Sequence, residues 1–200
     1  HGFTMPFRIG PRQFLDFALH PRWSLTSLAA GRPQMANFAM PGYDFDRTES
    51  RARADWDTLR RLRDVWRGRL VVKGVLDATD AAALRDAGVD AIQVSSHGAR
   101  QLDSAPAPIT ALSRIRAAVG PDMPLFYDSG LRCGEDVLKA LACGADFTFF
   151  GRVLQFAIAA AGEPGLHRLW DVLTSELSIA QAQCGLTSVT DAGRALWPSA

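Results

Sequence analysis

From residue 54 onward the chain alternates between short apolar segments typical of β-strands and segments with helical spacing. The four predicted strands cover residues 70–74, 91–98, 124–130 and 147–152. Each strand is almost continuously apolar, as is typical of a sheet covered on both faces. Successive strands joined through one helix run parallel with right-handed crossovers. The alternation therefore predicts an α/β fold built on a parallel sheet.

The predicted helices between these strands are compatible with two different α/β architectures. Trp56, Leu59, Leu62 and Val65 recur at helical spacing, and this helix is expected to end at Gly68. Further helices are predicted at 79–88, 109–119 and 135–143, with the longest at 166–184. Four such units build either a small doubly wound sheet or half of an eight-stranded barrel.

Residues 1 to about 50 form a separate region without a clear strand, and they hold six of the eleven phenylalanines. One short helix is predicted at 12–19 and another at 24–28, capped by Ser24. So much apolar surface must cover something. We expect it to contact the rest of its own fold, a partner subunit or a membrane surface.

Composition restricts the class of partner. The 200 residues include 22 basic and 21 acidic side chains, for a net charge of +1, so nothing indicates nucleic acid as a partner. The three cysteines lack C-x-x-C spacing, which favours free thiols in a reducing, cytoplasmic compartment and predicts no metal site.

Polar and glycine residues follow each predicted strand, at the edge where parallel α/β folds place their sites. Lys73 closes the first strand. An amine there either reaches solvent, binds a phosphate or cofactor, or forms a Schiff base.

His97 and Arg100 follow the second strand, three residues apart. Imidazole exchanges protons near neutral pH, and a guanidinium grips a carboxylate with two hydrogen bonds. The alternative is a loop histidine beside a surface arginine.

The third and fourth strands lead into 128–132 and 151–152, where glycines and arginines occur together. Exposed backbone amides with cationic side chains favour a phosphorylated ligand.

Together these segments resemble the FMN-dependent 2-hydroxy-acid dehydrogenase and oxidase family. The likeness rests on residues 71–74, 94–103, 128–132 and 151–152, in order and at the family's spacing. Its most specific part is Ser-Ser-His-Gly-Ala-Arg-Gln-Leu-Asp at 95–103. Within the family the chain is most similar to the mandelate and L-lactate dehydrogenases.

The resemblance implies a (β/α)8 TIM barrel, of which this chain supplies strands five to eight and the C-terminal helices. Residues 1–50 would end the long loop after strand four, and residues 51–200 would form the carboxyl half of the FMN-binding barrel. The expected partners are the amino half of the same barrel, a small 2-hydroxy acid and further copies in a homotetramer. A quinone acceptor and a peripheral position on the inner face of the plasma membrane are also implied.

The resemblance also implies a role for each matching residue. His97 would be the base that removes a proton from an (S)-2-hydroxy acid, and Arg100 would bind the substrate carboxylate. Lys73 would stabilise the reduced flavin. The residues expected to bind FMN are Lys73, Ser95, Asp128, Ser129, Gly130, Arg132, Gly151 and Arg152.

Three residues depart from the family pattern: Ser96 stands where Asn is usual, Ser129 where Gly is common and Cys133 where a second Arg is common. Three alternatives to a dehydrogenase remain. They are an oxygen-using oxidase, a non-catalytic half-barrel paralogue and a Schiff-base aldolase acting through Lys73.

Overall fold

The computed structural model describes residues 10–31 and 55–195. The chain divides into two compact units, residues 1–52 and residues 53–200, which are treated one at a time. No helix within the described ranges is long and apolar enough to cross a bilayer.

The described part of the first unit is a pair of helices, α1 (Pro11–Leu19) and α2 (Pro21–Ala30). The first was predicted. The second begins earlier than predicted because Pro21, whose ring suits the first helical turn, starts it. The predicted Ser24 cap is wrong, since the Ser24 hydroxyl donates to the Phe17 carbonyl at 2.7 Å. Phe17 also stacks on Trp23 at 5.5 Å between ring centroids.

The second unit contains the parallel sheet with its helices. In chain order the elements are α3 (Trp56–Val65), β1 (Val71–Val75), α4 (Ala78–Asp86), β2 (Ala91–Val94), α5 (Pro108–Val119), β3 (Leu125–Tyr127), α6 (Gly134–Ala142), β4 (Phe147–Thr148), α7 (Arg152–Ala161) and α8 (Glu163–Gln183). Short 3-10 turns cover His97–Ala99 and Val189–Ala195.

The strand order distinguishes between the two predicted architectures. The four strands lie in the order β1-β2-β3-β4, and each pair is parallel. A doubly wound sheet reverses its order at a switch point, whereas a barrel places every strand beside its successor. The described sheet is therefore an arc of a (β/α) barrel, and the α/β prediction is confirmed.

The hydrophobic core lies between this sheet and the helices packed against it. Ile92, Leu112, Ile115 and Leu125 are fully buried there. At the other extreme, Phe147 of the edge strand β4 is 56% exposed, although it contacts Phe126 and Phe149 edge to face. Helices thus cover one face of the sheet, while Val71 on β1 and Phe147 on β4 remain exposed.

An aspartate ties β1 to β2 at their amino ends. The Asp90 carboxylate accepts from the Leu70 amide at 2.8 Å and pairs with Arg63 at 2.8 Å, while the Asp90 amide donates to the Leu70 carbonyl at 2.9 Å. These contacts, the Leu70 amide first and then Arg63, hold the pKa of the Asp90 carboxyl below its ordinary value.

The same device recurs between β3 and β4. The Asp146 carboxylate accepts from the Leu125 amide at 2.7 Å and pairs with Arg116 at 2.6 Å, and its amide donates to the Leu125 carbonyl at 2.8 Å. Because both ties lie at the amino ends of the strands, opposite the functional edge, they serve stability.

Several element boundaries differ from the prediction: β2 ends at Val94 and β3 at Tyr127, before the polar residues that were included in both predicted strands, and three further differences have identifiable reasons. Helix α3 ends at Val65 rather than Gly68 because the Arg63 guanidinium donates to the carbonyls of Trp66 and Gly68. Strand β4 ends at Thr148 because the chain turns at Gly151 to begin α7. Helix α8 begins at Glu163, since Pro164 suits a first helical turn.

Helices α6 and α8 approach so closely that a side chain would not fit between them. A Cβ on Gly134, the first residue of α6, would overlap the Leu177 backbone nitrogen. The Gly134 amide donates to the Glu176 carboxylate at 2.9 Å, so α8 supplies the cap that α6 needs.

Candidate functional site

The carboxyl ends of β1, β2 and β3 converge on one polar cluster. Lys73 lies at a β-bulge in β1, where the register with β2 shifts between Lys73 and Val75. The extra residue is Gly74, whose φ of 94° suits glycine and leaves open space beside it. A bulge next to a functional edge re-aims the neighbouring side chain.

Lys73 connects residues from all three strand ends. Its Nζ donates to Ser95 Oγ at 2.8 Å and lies 3.6 Å from Asp128 Oδ2 and 3.5 Å from His97 Nδ1. Lys73 therefore has the anionic partner that a cation at a strand end needs, although its side chain is 42% exposed. The predicted residues Lys73, Ser95, His97 and Asp128 are thus brought together.

His97 lies in a strained loop, residues 96–99, which we call the histidine loop. Three successive residues adopt left-handed backbone conformations, with φ of 54° at His97, 66° at Gly98 and 60° at Ala99. Only glycine adopts this region easily, and such strain is concentrated at functional sites. The His97 amide donates to the buried Ser95 hydroxyl at 2.9 Å, which ties the loop to the end of β2.

Two residues of the site escaped the sequence prediction. Gln93 Nε2 donates to Asp128 Oδ1 at 3.0 Å and so orients the carboxylate that faces Lys73. A polar residue between Ile92 and Val94, in register with Lys73, was the available signal. Gln93 precedes Ser95 by two residues, so the two side chains lie on the same face of the sheet, and Gln93 is therefore close to the functional edge.

Tyr127 is the second missed residue. Its hydroxyl donates to the Ser129 carbonyl at 2.9 Å. Burial, followed by the charge of Asp128, raises the pKa of Tyr127 to about 12. Tyr127 therefore remains a neutral donor that anchors the loop after β3.

A cavity of about 440 Å³ opens beside the cluster, between the loops that follow β2 and β3. Its lining includes the predicted residues Ser129, Gly130 and Arg152, together with Gly98. Arg152 spans the gap between loops by donating to the Gly98 carbonyl at 3.1 Å.

The remaining predicted residues stand apart from the bonded cluster. Arg100 and Arg132 are exposed, and within residues 10–31 and 55–195 neither guanidinium has a hydrogen-bond or ion-pair partner. Gly151 precedes α7 and has open space where a Cβ would be. These residues border the same strand ends without contacting the cluster.

A larger cavity, of about 680 Å³, lies elsewhere and is not the predicted site. It is lined by residues of α6 and α8 and by all three cysteines, Cys133, Cys143 and Cys184. None of the predicted site residues lines it.

The residues at the strand ends fit a flavin mononucleotide. Open space beside Gly130 and Gly151 admits a phosphate close to the backbone, and Arg152 supplies a nearby positive charge. Lys73 places a second cation against Ser95 and Asp128. The donor set thus suits a ligand with one anionic end and one ring that gains electrons.

Comparison with known proteins identifies one family. The family model described as FMN-dependent dehydrogenase matches residues 1–198. (S)-mandelate dehydrogenase from Pseudomonas putida is 37% identical over 200 residues, covering 94% of this chain and 49% of that protein. An L-lactate dehydrogenase from Allorhizobium ampelinum is 35% identical over 195 residues, covering 90% of this chain and 50% of that protein.

A solved structure shares the fold. The crystal structure of the monotopic membrane protein (S)-mandelate dehydrogenase superposes with a TM-score of 0.82 at 36% identity, covering 94% of this chain and 52% of that one. The chain spans about half the length of the curated relatives it matches. This chain belongs to the FMN-dependent dehydrogenase family.

Proposed function

We propose that the protein carrying this chain oxidises an (S)-2-hydroxy acid to the 2-oxo acid, with FMN as the immediate electron acceptor. The observation that carries the proposal is the bonded cluster of Lys73, Ser95, His97 and Asp128 at the carboxyl edge of the sheet. A cation, an imidazole and a carboxylate there combine charge stabilisation with proton transfer.

His97 is the proton acceptor in this mechanism. Its Nδ1 faces Lys73 Nζ at 3.5 Å, which leaves Nε2 for the substrate. Nε2 accepts a proton only when Nδ1 carries the ring hydrogen, and in that tautomer Nδ1–H and the Lys73 ammonium are both donors, so their 3.5 Å contact is not a hydrogen bond. Lys73 then directs its own protons to Ser95 and Asp128 and does not compete for the imidazole.

Arg100 and Lys73 are the two cations that balance the negative charges of the substrate carboxylate and of the reduced flavin. The Arg100 fork, three residues after His97, is available to hold the substrate carboxylate. FMN, when bound, accepts the two electrons released as the hydroxy acid becomes the oxo acid. Lys73 would stabilise the negative charge of a bound, reduced flavin, and Asp128, 3.6 Å from Lys73 Nζ, would keep the ammonium in place.

The other proposed FMN contacts are residues at the strand ends. Ser95 and Asp128 lie beside Lys73, where they would hold the ring and its ribityl chain. Gly130, Arg132, Gly151 and Arg152 would hold the phosphate. Support comes from the open space beside the two glycines and from the cavity that Arg152 and Gly130 share.

Mandelate or lactate is the proposed substrate, because proteins named for both are similar to this chain. A membrane quinone is the proposed final acceptor, and a position at the inner face of the plasma membrane is proposed with it. The first unit supports this with six exposed apolar side chains on α1 and α2: Phe14, Leu15, Leu19, Trp23, Leu25 and Leu28.

The remaining partners are the amino half of the barrel and further copies in a homotetramer. Strands β1 and β4 are edges of the described sheet, and Phe147 on β4 is exposed. Pairing with a second half-barrel would remove both edges.

The test replaces His97 by Gln in the protein that carries this chain, loaded with FMN. We expect the variant to retain flavin but to lose at least about 10²-fold in the anaerobic rate of flavin reduction, as removal of a general base does. Stopped-flow absorbance follows the flavin band.

His167→Gln is the matched control, because His167 is an exposed histidine on α8 outside the site. It should reduce flavin at the normal rate. Normal reduction in His97→Gln would refute the assigned base. A borohydride-trapped adduct on Lys73 would instead identify a Schiff-base aldolase, and rapid reoxidation by oxygen would identify an oxidase.

A further inference from the structure

Ser129 adopts a backbone conformation that glycine adopts far more easily, with φ of 86°. Its side chain is half-buried in the site rather than turned out to solvent. A serine that persists in this conformation needs contacts that offset the strain.

Those contacts fall on the histidine loop. The Ser129 hydroxyl oxygen accepts from the Ser96 amide at 3.2 Å and from the Gly98 amide at 3.0 Å. The amide between them, that of His97, donates to Ser95 Oγ at 2.9 Å. Two serine hydroxyls therefore bind the three successive amides at the start of the histidine loop, ahead of the backbone hydrogen bonds of its 3-10 turn.

The hydrogen-bond inventory assigns the remaining proton. A hydroxyl has two acceptor positions and one donor. Both acceptor positions of Ser129 are used by the loop, and Ser95 Oγ already accepts from Lys73 and His97. The Ser129 proton is thus directed to Asp128 Oδ2 at 3.4 Å.

We propose that Ser129 is a positioning residue: its hydroxyl holds the backbone on both sides of His97 and so fixes the imidazole against Lys73 and the substrate. The inference rests on the proposed role of His97 as base. It assigns the Ser129 side chain to the loop rather than to the FMN phosphate.

Two variants separate the hydroxyl from the backbone strain. Ser129→Ala removes the hydroxyl and keeps the strain, whereas Ser129→Gly removes both. In the FMN-loaded protein we expect kcat to fall by about tenfold or more in both variants, because a small misplacement of a catalytic group is costly. KM and the affinity for FMN should stay within about twofold of the parent protein.

A second readout needs no turnover, so it stands even if the proposed activity fails. Hydrogen exchange resolved to single amides should accelerate at Ser96 and Gly98 by about fivefold or more in both variants, as the loss of one hydrogen bond predicts. The amides of Ile92 and Val94 in β2 serve as internal controls and should be unchanged.

Three results would overturn the proposal. Loss of kcat in the Ala variant alone would trace the effect to strain. Weaker FMN binding, with a normal kcat once FMN is saturating, would show that the Ser129 hydroxyl binds the FMN phosphate instead of positioning the loop. Unchanged exchange at Ser96 and Gly98 would show that the hydroxyl does not hold the loop.

Discussion

At the scale of single residues, the role proposed for Arg100 in binding the substrate carboxylate can be tested by substitution. Arg100 is exposed, and in the described part of the chain its guanidinium has no partner, so its replacement breaks no internal bond. Arg100→Met should therefore leave folding stability unchanged. It should weaken substrate binding and slow flavin reduction, with a combined loss of about 2–5 kcal/mol in the free energies of binding and activation. Rapid kinetics with a varied hydroxy-acid concentration measures both.

Arg114→Met is the control for that variant, since Arg114 on α5 is also exposed and is outside the site. A 2-hydroxy amide, which lacks the carboxylate, should reduce the parent protein and Arg100→Met equally slowly. If Arg100→Met still reduced its flavin much faster with the hydroxy acid than with the hydroxy amide, as the parent protein should, the role given to Arg100 would be contradicted.

The sequence predicted which polar residues meet at the strand ends better than it predicted their supporting contacts. Lys73 could be identified because a charged group at the end of an apolar strand needs a partner, His97 because imidazole exchanges protons near neutral pH, and Asp128 through the family resemblance. Gln93 and the hydroxyl of Ser129 could not be identified in this way. Each makes a hydrogen bond to a residue far along the chain, 35 positions away for Gln93 and 31 for Ser129. Such contacts exist only once the register of the sheet is set.

At the scale of elements, the amino-terminal tie between β1 and β2 predicts a pH dependence of stability. The pKa of Asp90 is lowered in the folded protein, so its contribution is fully present above the ordinary pKa of an aspartate, about 3.9. It is lost as the pH falls through the lower folded pKa. Asp90→Asn should therefore lower the urea midpoint at pH 7, and the difference from the parent protein should shrink in acid.

Asp86→Asn is the matched control, because Asp86 is an exposed carboxylate on α4 paired only with the neighbouring Arg85 in the described residues. Its urea midpoint should follow that of the parent protein at every pH. A difference between Asp90→Asn and the parent that is the same at pH 7 and in acid would rule out the charge of Asp90 as the cause.

Element types followed from periodicity, but several element ends did not. The spacing of Trp56, Leu59 and Leu62 predicted α3, yet its end depends on Arg63 reaching the Trp66 and Gly68 carbonyls. Ser24 has the sequence signature of a cap, but Pro21 starts α2 first and the Ser24 hydroxyl donates elsewhere. Side-chain to backbone contacts of this kind are decided by three-dimensional neighbours.

At the scale of the whole molecule, strand order decides the architecture that periodicity left open. Four parallel strands in sequential order form an arc, of which β1 and β4 are the edge strands in the described sheet. The prediction that residues 1–50 end a long loop stays a prediction, because the described residues of that unit are only 10–31.

The most direct test of the account is an anaerobic absorption titration of the protein that carries this chain, loaded with FMN. We predict that (S)-mandelate or (S)-lactate bleaches the flavin band with one equivalent per flavin and yields the matching 2-oxo acid, while the (R)-enantiomer leaves the band intact. A protein that binds no flavin, or a bound flavin that neither (S)-acid bleaches, would contradict the central claim that these strand ends form a flavin-dependent hydroxy-acid site.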